Sequence, residues 1–332
     1  MDKPVTDFNL PWVESPFFPS LVDAHCRTPE DKTAATAYHE NGYLLLPGAV
    51  PEKVCEEVKA QVKPLFPPGV AEGARSEYRV QDAYKESPAV RAIAGNERVL
   101  QTLRFLYGRR AFPFQTLNFL HGSQQRTHSD FIHFSSLPAR FMCGAWTALE
   151  DITLENGPLF YFKGSHKLPQ YTYFDLGLLD MQRDYAKYED HMERLAARYA
   201  FAKENLLARK GDVLIWSSNL MHGGEKILKA GSTRWSQVTH YYFEDCLYFT
   251  PMNSDFLTGA LNHREVRDVT TGRFVDQTYN GKAFAALPVG GGRYRISGRM
   301  LALGQAVSLA RRALSRLKRT LFGGKMRADA YE

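Results

Sequence analysis

From Phe112 onward the chain breaks into short apolar and aromatic runs: Phe112–Leu120, Ile132–Phe134, Phe141–Leu149 and Leu159–Phe162. Another run, Val213-Leu214-Ile215-Trp216, is entered through the turn residues Gly211-Asp212, and one more opens at Arg234 and alternates through Tyr242. Short strands with turn signals at this density predict an all-β barrel or sandwich. Upstream the pattern is helical. Residues 29–40 read as a helix with Thr28 as N-cap before Pro29, and Pro51 opens another to about Lys63 through Val54, Val58 and Val62. Residues 88–107 also read as helix, Tyr43 to Leu46 as a strand, and the Pro- and aromatic-rich residues 1–28 as a surface wrap.

His128-Ser129-Asp130 is set among these runs, with His222 far downstream. In a strand, residues i and i+2 share a face, so His128 and Asp130 reach one metal ion while Ser129 points away. Adding His222 gives two imidazoles and one carboxylate. That donor set leaves positions open on an iron ion, as non-haem Fe(II) oxygenases require. No fourth protein ligand is apparent, which favours iron over zinc. Arg234 stands at the head of a strand, where a guanidinium can grip a carboxylate with two parallel hydrogen bonds. The far carboxylate of 2-oxoglutarate needs such an anchor.

The chain resembles the phytanoyl-CoA dioxygenase family of Fe(II)/2-oxoglutarate oxygenases from about Glu40 to about Tyr242. The resemblance is carried by Asn41-Gly42-Tyr43-Leu44-Leu45-Leu46-Pro47-Gly48, His128-Ser129-Asp130, Trp146-Thr147-Ala148-Leu149-Glu150-Asp151, Glu155-Asn156-Gly157-Pro158-Leu159, Lys163-Gly164-Ser165-His166, Gly211-Asp212, His222-Gly223 and Arg234. It implies a mainly β double-stranded β-helix, or jelly roll, with helices packed on one sheet. It also implies metal ligands at His128, Asp130 and His222, and 2-oxoglutarate and O2 as co-substrates. Hydroxylation of an unactivated C–H would release succinate and CO2. Asp130 matters to the outcome, because related halogenases carry a small residue there to admit halide. Family members often carry a hydroxyl two positions after the distal histidine. Here that position is Gly224, so Ser236, on Arg234's strand parity, or Thr147 is the candidate substitute. Trp146 is a candidate wall for the co-substrate, Gln115 and Asn118 candidates for its keto-acid end or the substrate, and Arg79 a candidate for an anionic substrate group. His240 shares Arg234's parity and reads as a pocket residue; His121, His133 and His166 read as non-ligands.

Residues 176–208 interrupt the strands and read as a helical insert, either covering the site or flanking it. The net charge of +6 is unevenly spread. Residues 291–332 hold ten Lys or Arg against two Asp or Glu, a net +8, while the other 290 hold 32 against 34, a net −2. The body therefore gives no reason to expect nucleic acid. Within 299–322, Leu303, Val307, Ala310, Leu314, Leu317 and Leu321 recur at spacings of 4, 3, 4, 3 and 4, opposite a basic face. A basic amphipathic helix suits contact with an anionic membrane, and its heptad spacing equally suits docking or a homodimer seam. The chain thus reads as a dioxygenase domain over 1–290 and a basic tail over 291–332, hinged at Gly290-Gly291-Gly292. The substrate expected is a small or lipid-linked molecule. The start, MDKPVTDFNLPW, has no apolar signal core, and the four cysteines form no CxxC pair. The expected setting is therefore reducing and cytoplasmic, with peripheral contact at the inner membrane face through the tail. The competing reading is a non-catalytic jelly-roll module recruited through that tail.

Overall fold

The computed structural model of the protein describes residues 8–67, 69–70, 78–178 and 181–297. Helix α1 (Phe18–His25) precedes α2 (Pro29–Asn41), which begins with a complete capping box. The Thr28 hydroxyl accepts from the Asp31 amide, and the Asp31 carboxylate accepts back from the Thr28 amide. Gly42, at φ 82°, reverses the chain into β1 (Tyr43–Leu46). Then come α3 (Glu52–Val62), the edge strand β2 (Arg79–Gln81), α4 (Pro88–Ala94) and α5 (Glu97–Tyr107). The helix expected over 88–107 is thus two, because Asn96 leaves helical geometry and its side chain caps α5 through the Val99 amide.

The strands are β3 (Ala111–Phe119), β4 (Ser135–Leu137), β5 (Met142–Ala148) and β6 (Leu159–Phe162). Helix α6 (Met181–Arg198) and the short β7 (Lys203–Asn205) follow. The chain continues through β8 (Val213–Ser217), β9 (His222–Gly224), β10 (Ser236–Phe243), β11 (Leu247–Asp255) and β12 (Ala260–His263). Two small hairpins close the described chain: β13 (Thr278–Tyr279) with β14 (Lys282–Ala283), and β15 (Ala285–Gly290) with β16 (Arg293–Ser297).

Six antiparallel strands form the larger sheet, in the order β1-β8-β5-β10-β3-β2. Opposite it stand the three-stranded β7-β6-β9 and the five-stranded β15-β16-β12-β11-β4. Strand alternation divides the larger sheet's side chains between two cores. Phe119, Trp146, Leu214 and Val238 turn inward and pack with Leu159 and Tyr161 of β6. Cys143, Ala145, Val213 and Ile215 turn outward and pack under Val58, Val62, Val90 and Leu103 of the helices. The result is a double-stranded β-helix with helices covering one sheet, the architecture expected.

Four expectations need correction. Ile132–Phe134 is not a strand: Asp130–Ile132 is one 3-10 turn and pairing resumes at Ser135. Trp12, Val13, Phe18 and Val22 do not wrap the surface but are buried in the helical core, where the Trp12 indole donates to the Phe105 carbonyl. Within the 176–208 insert, Lys203–Asn205 is a strand paired with β6. Gly290-Gly291-Gly292 is not a hinge: all three take positive φ and turn β15 into β16, which pairs with β12. Strand pairing therefore continues past 290, to Ser297 among the described residues. The amphipathic segment 299–322 lies outside the described residues. Among those described, no helix is long and apolar enough to cross a membrane, and all four cysteines are free.

Candidate active site

Two reciprocal backbone hydrogen bonds hold the metal motif against β9: His128 N to His222 O at 3.0 Å and His222 N to His128 O at 2.9 Å. Residues paired this way share a face, and the two imidazole centroids lie 4.4 Å apart. Ser129 remains extended and turns away, its hydroxyl 3.0 Å from the Tyr188 hydroxyl of α6. The 3-10 turn then begins at Asp130 and swings its carboxylate back toward the rings. Each ring places Nδ1 2.9 Å from a main-chain carbonyl, Arg126 O for His128 and Leu220 O for His222. A carbonyl only accepts, so Nδ1 carries the proton and Nε2 presents a free lone pair. Those Nε2 atoms stand 3.9 and 3.8 Å from Asp130 Oδ1. All three donor atoms lie within 4.8 Å of one another, and all three residues are buried.

The carboxylate is held from behind. The Trp216 indole donates to Asp130 Oδ2 at 2.8 Å, and His240 Nε2 lies 3.6 Å from the same oxygen. Gln115 Oε1 in turn holds His240 Nδ1 at 3.0 Å. Outer contacts of this kind orient metal ligands and tune their basicity. Burial, and then the neighbouring His222, push the His128 imidazole down to about 3, so it is neutral and ready to ligate. Burial alone would raise the Asp130 carboxyl, but His222 and His240 facing it leave it below the ordinary carboxylate range.

Arg234 is the second element of the site. It is 2% exposed, yet among the described residues no carboxylate pairs with it. Among the described residues its Nε has no hydrogen-bond partner, and Nη2 makes a long 3.5 Å contact to the His121 carbonyl. The guanidinium carbon sits 5.4 Å from the Trp146 ring and 5.8 Å from Phe119. Burial pushes its pKa down to about 10, with Glu150 pulling the other way. The Ser236 hydroxyl, two residues on, is buried and equally without a partner among the described residues. A buried cation beside an unused hydroxyl fits an incoming carboxylate.

The structure does not bring every candidate here. Asn118 pairs with Gln237, and their amides touch at 3.4 Å while Gln237 bonds the Val90 carbonyl of α4. Asn118 therefore faces the helical layer, because its strand parity is opposite to that of Gln115. Thr147, across from Gln237, faces the same way. Gly224 cannot carry the family's hydroxyl: a Cβ there would meet Ser123 Oγ at 2.8 Å and Gln124 N at 2.9 Å. His121 is tied to Ser232 and Val70 carbonyls, and His166 to that of His39. His133 is nearer than strand parity suggests, since the 3-10 turn brings its ring to 6.4 Å from His128, where it contacts Met252 Sδ and the Tyr185 hydroxyl.

Helix α6 covers the motif. Tyr188 reaches Ser129, Tyr185 reaches His133, and Arg126 bonds Asp190 and Glu193 at 2.6 and 2.8 Å. Sequence reading missed Trp216 as a partner of Asp130. Its inward parity with Leu214 was the available signal.

A jelly roll with two histidines and one aspartate converging inside it defines the class of Fe(II)/2-oxoglutarate-dependent oxygenases. The profile of the phytanoyl-CoA dioxygenase (PhyH) family matches residues 38–234, and the chain belongs to this family. Human peroxisomal phytanoyl-CoA dioxygenase is 27% identical over 244 residues, covering 64% of this chain and 68% of the human protein. A probable phytanoyl-CoA dioxygenase of Caenorhabditis elegans is 27% identical over 162 residues, 39% of this chain and 51% of that one. The non-heme alpha ketoglutarate dependent carbocyclase SnoK from nogalamycin biosynthesis shares the fold with a TM-score of 0.53 at 18% identity, over 68% of this chain and 88% of that one. The epimerase SnoN, solved with Fe3+, alpha ketoglutarate and nogalamycin RO, gives 0.52 at 18% identity, over 80% and 98%.

Proposed function

We propose that this protein hydroxylates an unactivated C–H bond of a small molecule. His128, Asp130 and His222 hold Fe(II), and Arg234 with Ser236 holds the far carboxylate of 2-oxoglutarate. The observation that carries the reading is the pairing of a buried triad of free donor atoms with a buried guanidinium that has no carboxylate partner among the described residues. With O2, the iron and 2-oxoglutarate together supply oxidative decarboxylation to succinate and CO2, coupled to oxidation of the C–H bond.

The chain's own residues set the conditions for that chemistry. The carbonyls of Arg126 and Leu220 keep both imidazoles in the ligating tautomer. Trp216 occupies one carboxylate oxygen of Asp130 and leaves the other turned to the histidines. That carboxylate fills the place a halide would need, which favours hydroxylation over halogenation. Trp146 and Phe119 wall the guanidinium, and Tyr185 and Tyr188 of α6 shield the motif from water. Desaturation or ring closure at the same site would follow from a different substrate pose.

A lipid-linked substrate, membrane contact and a homodimer are supported only by the charge and periodicity of 299–322. Unchanged partition onto anionic liposomes after deleting residues 298–332 would remove the membrane reading. The non-catalytic alternative is disfavoured, because a binding module has no use for a buried triad and an unpaired buried arginine. The test is anaerobic titration of Fe(II) and 2-oxoglutarate, read by the visible charge-transfer band of a chelated keto acid. The band should weaken in Arg234→Ala and disappear in Asp130→Ala. Well-folded wild type with no band would sink the reading.

A further inference from the structure

Arg234 is not the only cation near the triad without a carboxylate. Arg264 follows β12 and bonds Thr250 Oγ1 through Nη1 at 3.1 Å, while its buried Nε has no hydrogen-bond partner among the described residues. Its guanidinium carbon lies 4.9 Å from the Phe134 ring and 5.8 Å from Phe114. The Phe134 ring is in turn 4.9 Å from His240, which stands behind Asp130. Arg79 approaches from the opposite sheet. Its register partner on β3 is Phe119, so it projects from the inward face of edge strand β2. The charges of Arg79 and Arg264 both bear on the buried His133, whose ring is 6.4 Å from that of His128. Among the described residues, neither arginine has a carboxylate within ion-pair distance. Other arginines of the fold find partners: Arg140 pairs with Glu14 at 2.6 Å, and Arg109 bonds the carbonyls of Glu244 and Asp245.

We propose that Arg264 and Arg79 form an anion-binding subsite for the molecule that is oxidised, taking a carboxylate or phosphate group while Phe114, Phe134 and Met252 line its apolar part. This deepens the oxygenase reading above and rests on it. A partly buried guanidinium with an unused donor is costly, and the cost is recovered when an anionic oxygen arrives. The co-substrate accounts for Arg234. Arg264 lies instead on the sheet that bears Met252, the neighbour of His133, and no co-substrate group remains for it. The substrate class is therefore an anionic small molecule whose charged end, held at Arg264 and Arg79, would set the distance of its reacting C–H from the triad.

The probes are octanoate, octyl phosphate and the neutral isostere octanamide, titrated calorimetrically into anaerobic full-length protein loaded with Fe(II) and saturating 2-oxoglutarate. The anions should bind on the order of ten- to a hundredfold tighter than the amide, the range of a charged hydrogen bond. The tighter of the two identifies the carboxylate or the phosphate. Arg264→Gln and Arg79→Gln should each erase most of that preference while the charge-transfer band persists, which controls for folding. Arg79 is exposed, so its variant keeps the test open should Arg264→Gln misfold. Equal binding of anion and amide by wild type, or a preference that survives both substitutions, overturns the subsite. Absence of the charge-transfer band in wild type instead identifies the oxygenase reading as the point of failure, and the subsite falls with it.

Discussion

Replacing Arg234 by methionine should separate two quantities that fall together in most active-site variants. In the free protein the guanidinium is buried and, among the described residues, has no carboxylate partner and an orphan Nε. An unsatisfied buried donor costs about 1–3 kcal/mol, and exchanging buried charge for apolar volume is often neutral or stabilising. The ligand-free variant should therefore melt no lower than wild type, and up to a few degrees higher, at about 2–4 °C per kcal/mol for a domain of this size. With 2-oxoglutarate the order reverses. At a hundred times Kd the ligand stabilises wild type by about 2.7 kcal/mol. Losing a buried charged hydrogen-bond pair costs about 2–5 kcal/mol of affinity, roughly thirtyfold or more. The same concentration then stabilises the variant by less than about 1 kcal/mol. Differential scanning fluorimetry of Mn(II)-loaded protein, with and without 2-oxoglutarate, measures both. An undiminished ligand shift in Arg234→Met would refute the anchor. A ligand-free variant far less stable than wild type would show that the arginine is a structural member of the core.

Three further outcomes follow from the geometry. Trp216→Phe removes the indole donor to Asp130 Oδ2 and should weaken Fe(II) binding about 10–100-fold; metal titration with unchanged affinity would deny the indole that role. Gly144→Ala should produce a similar loss indirectly, since its Cβ would collide with the Trp216 indole ring; such a variant with wild-type stability and metal affinity would show that the ring has room to move. His166 is held down to about 3, by burial first and then by Lys167 and Arg140, from an ordinary 6.5. As pH falls the unfolded chain takes the proton first, so this stability is complete above 6.5 and is lost toward about 3. Urea midpoints of the metal-free protein should accordingly fall less between about pH 7 and pH 5 in His166→Gln than in wild type, and equal slopes would exclude a contribution from this residue.

Much of the fold is legible locally. The Thr28 N-cap, β1 at Tyr43–Leu46 and β6 at Leu159–Phe162 fall where residue pattern and turn chemistry place them. Elsewhere local reading fails for identifiable reasons. Ile132–Phe134 has strand composition, yet the chain tightens into a 3-10 turn at Asp130 so that the carboxylate can face two rings. Asn118 and Gln115 are three residues apart on one strand and cannot both face inward, a choice the pairing with β10 decides. Strands β11 and β12, which bring Met252 and Arg264 toward the triad, lie beyond the resemblance.

What the sequence determines by itself is the donor inventory: His128, Asp130, His222 and Arg234, in an order and spacing suited to strands. That information is local or family-wide, carried by side-chain chemistry and the two-residue period of a strand. The tertiary structure alone decides who stands behind those donors: Trp216 and His240 on Asp130, and α6 over Ser129 and His133. These contacts join residues scores of positions apart, for example Asp130 and Trp216, separated by 86 in sequence. Neither periodicity nor propensity reports such distances, because they follow from how two twisted sheets are brought face to face.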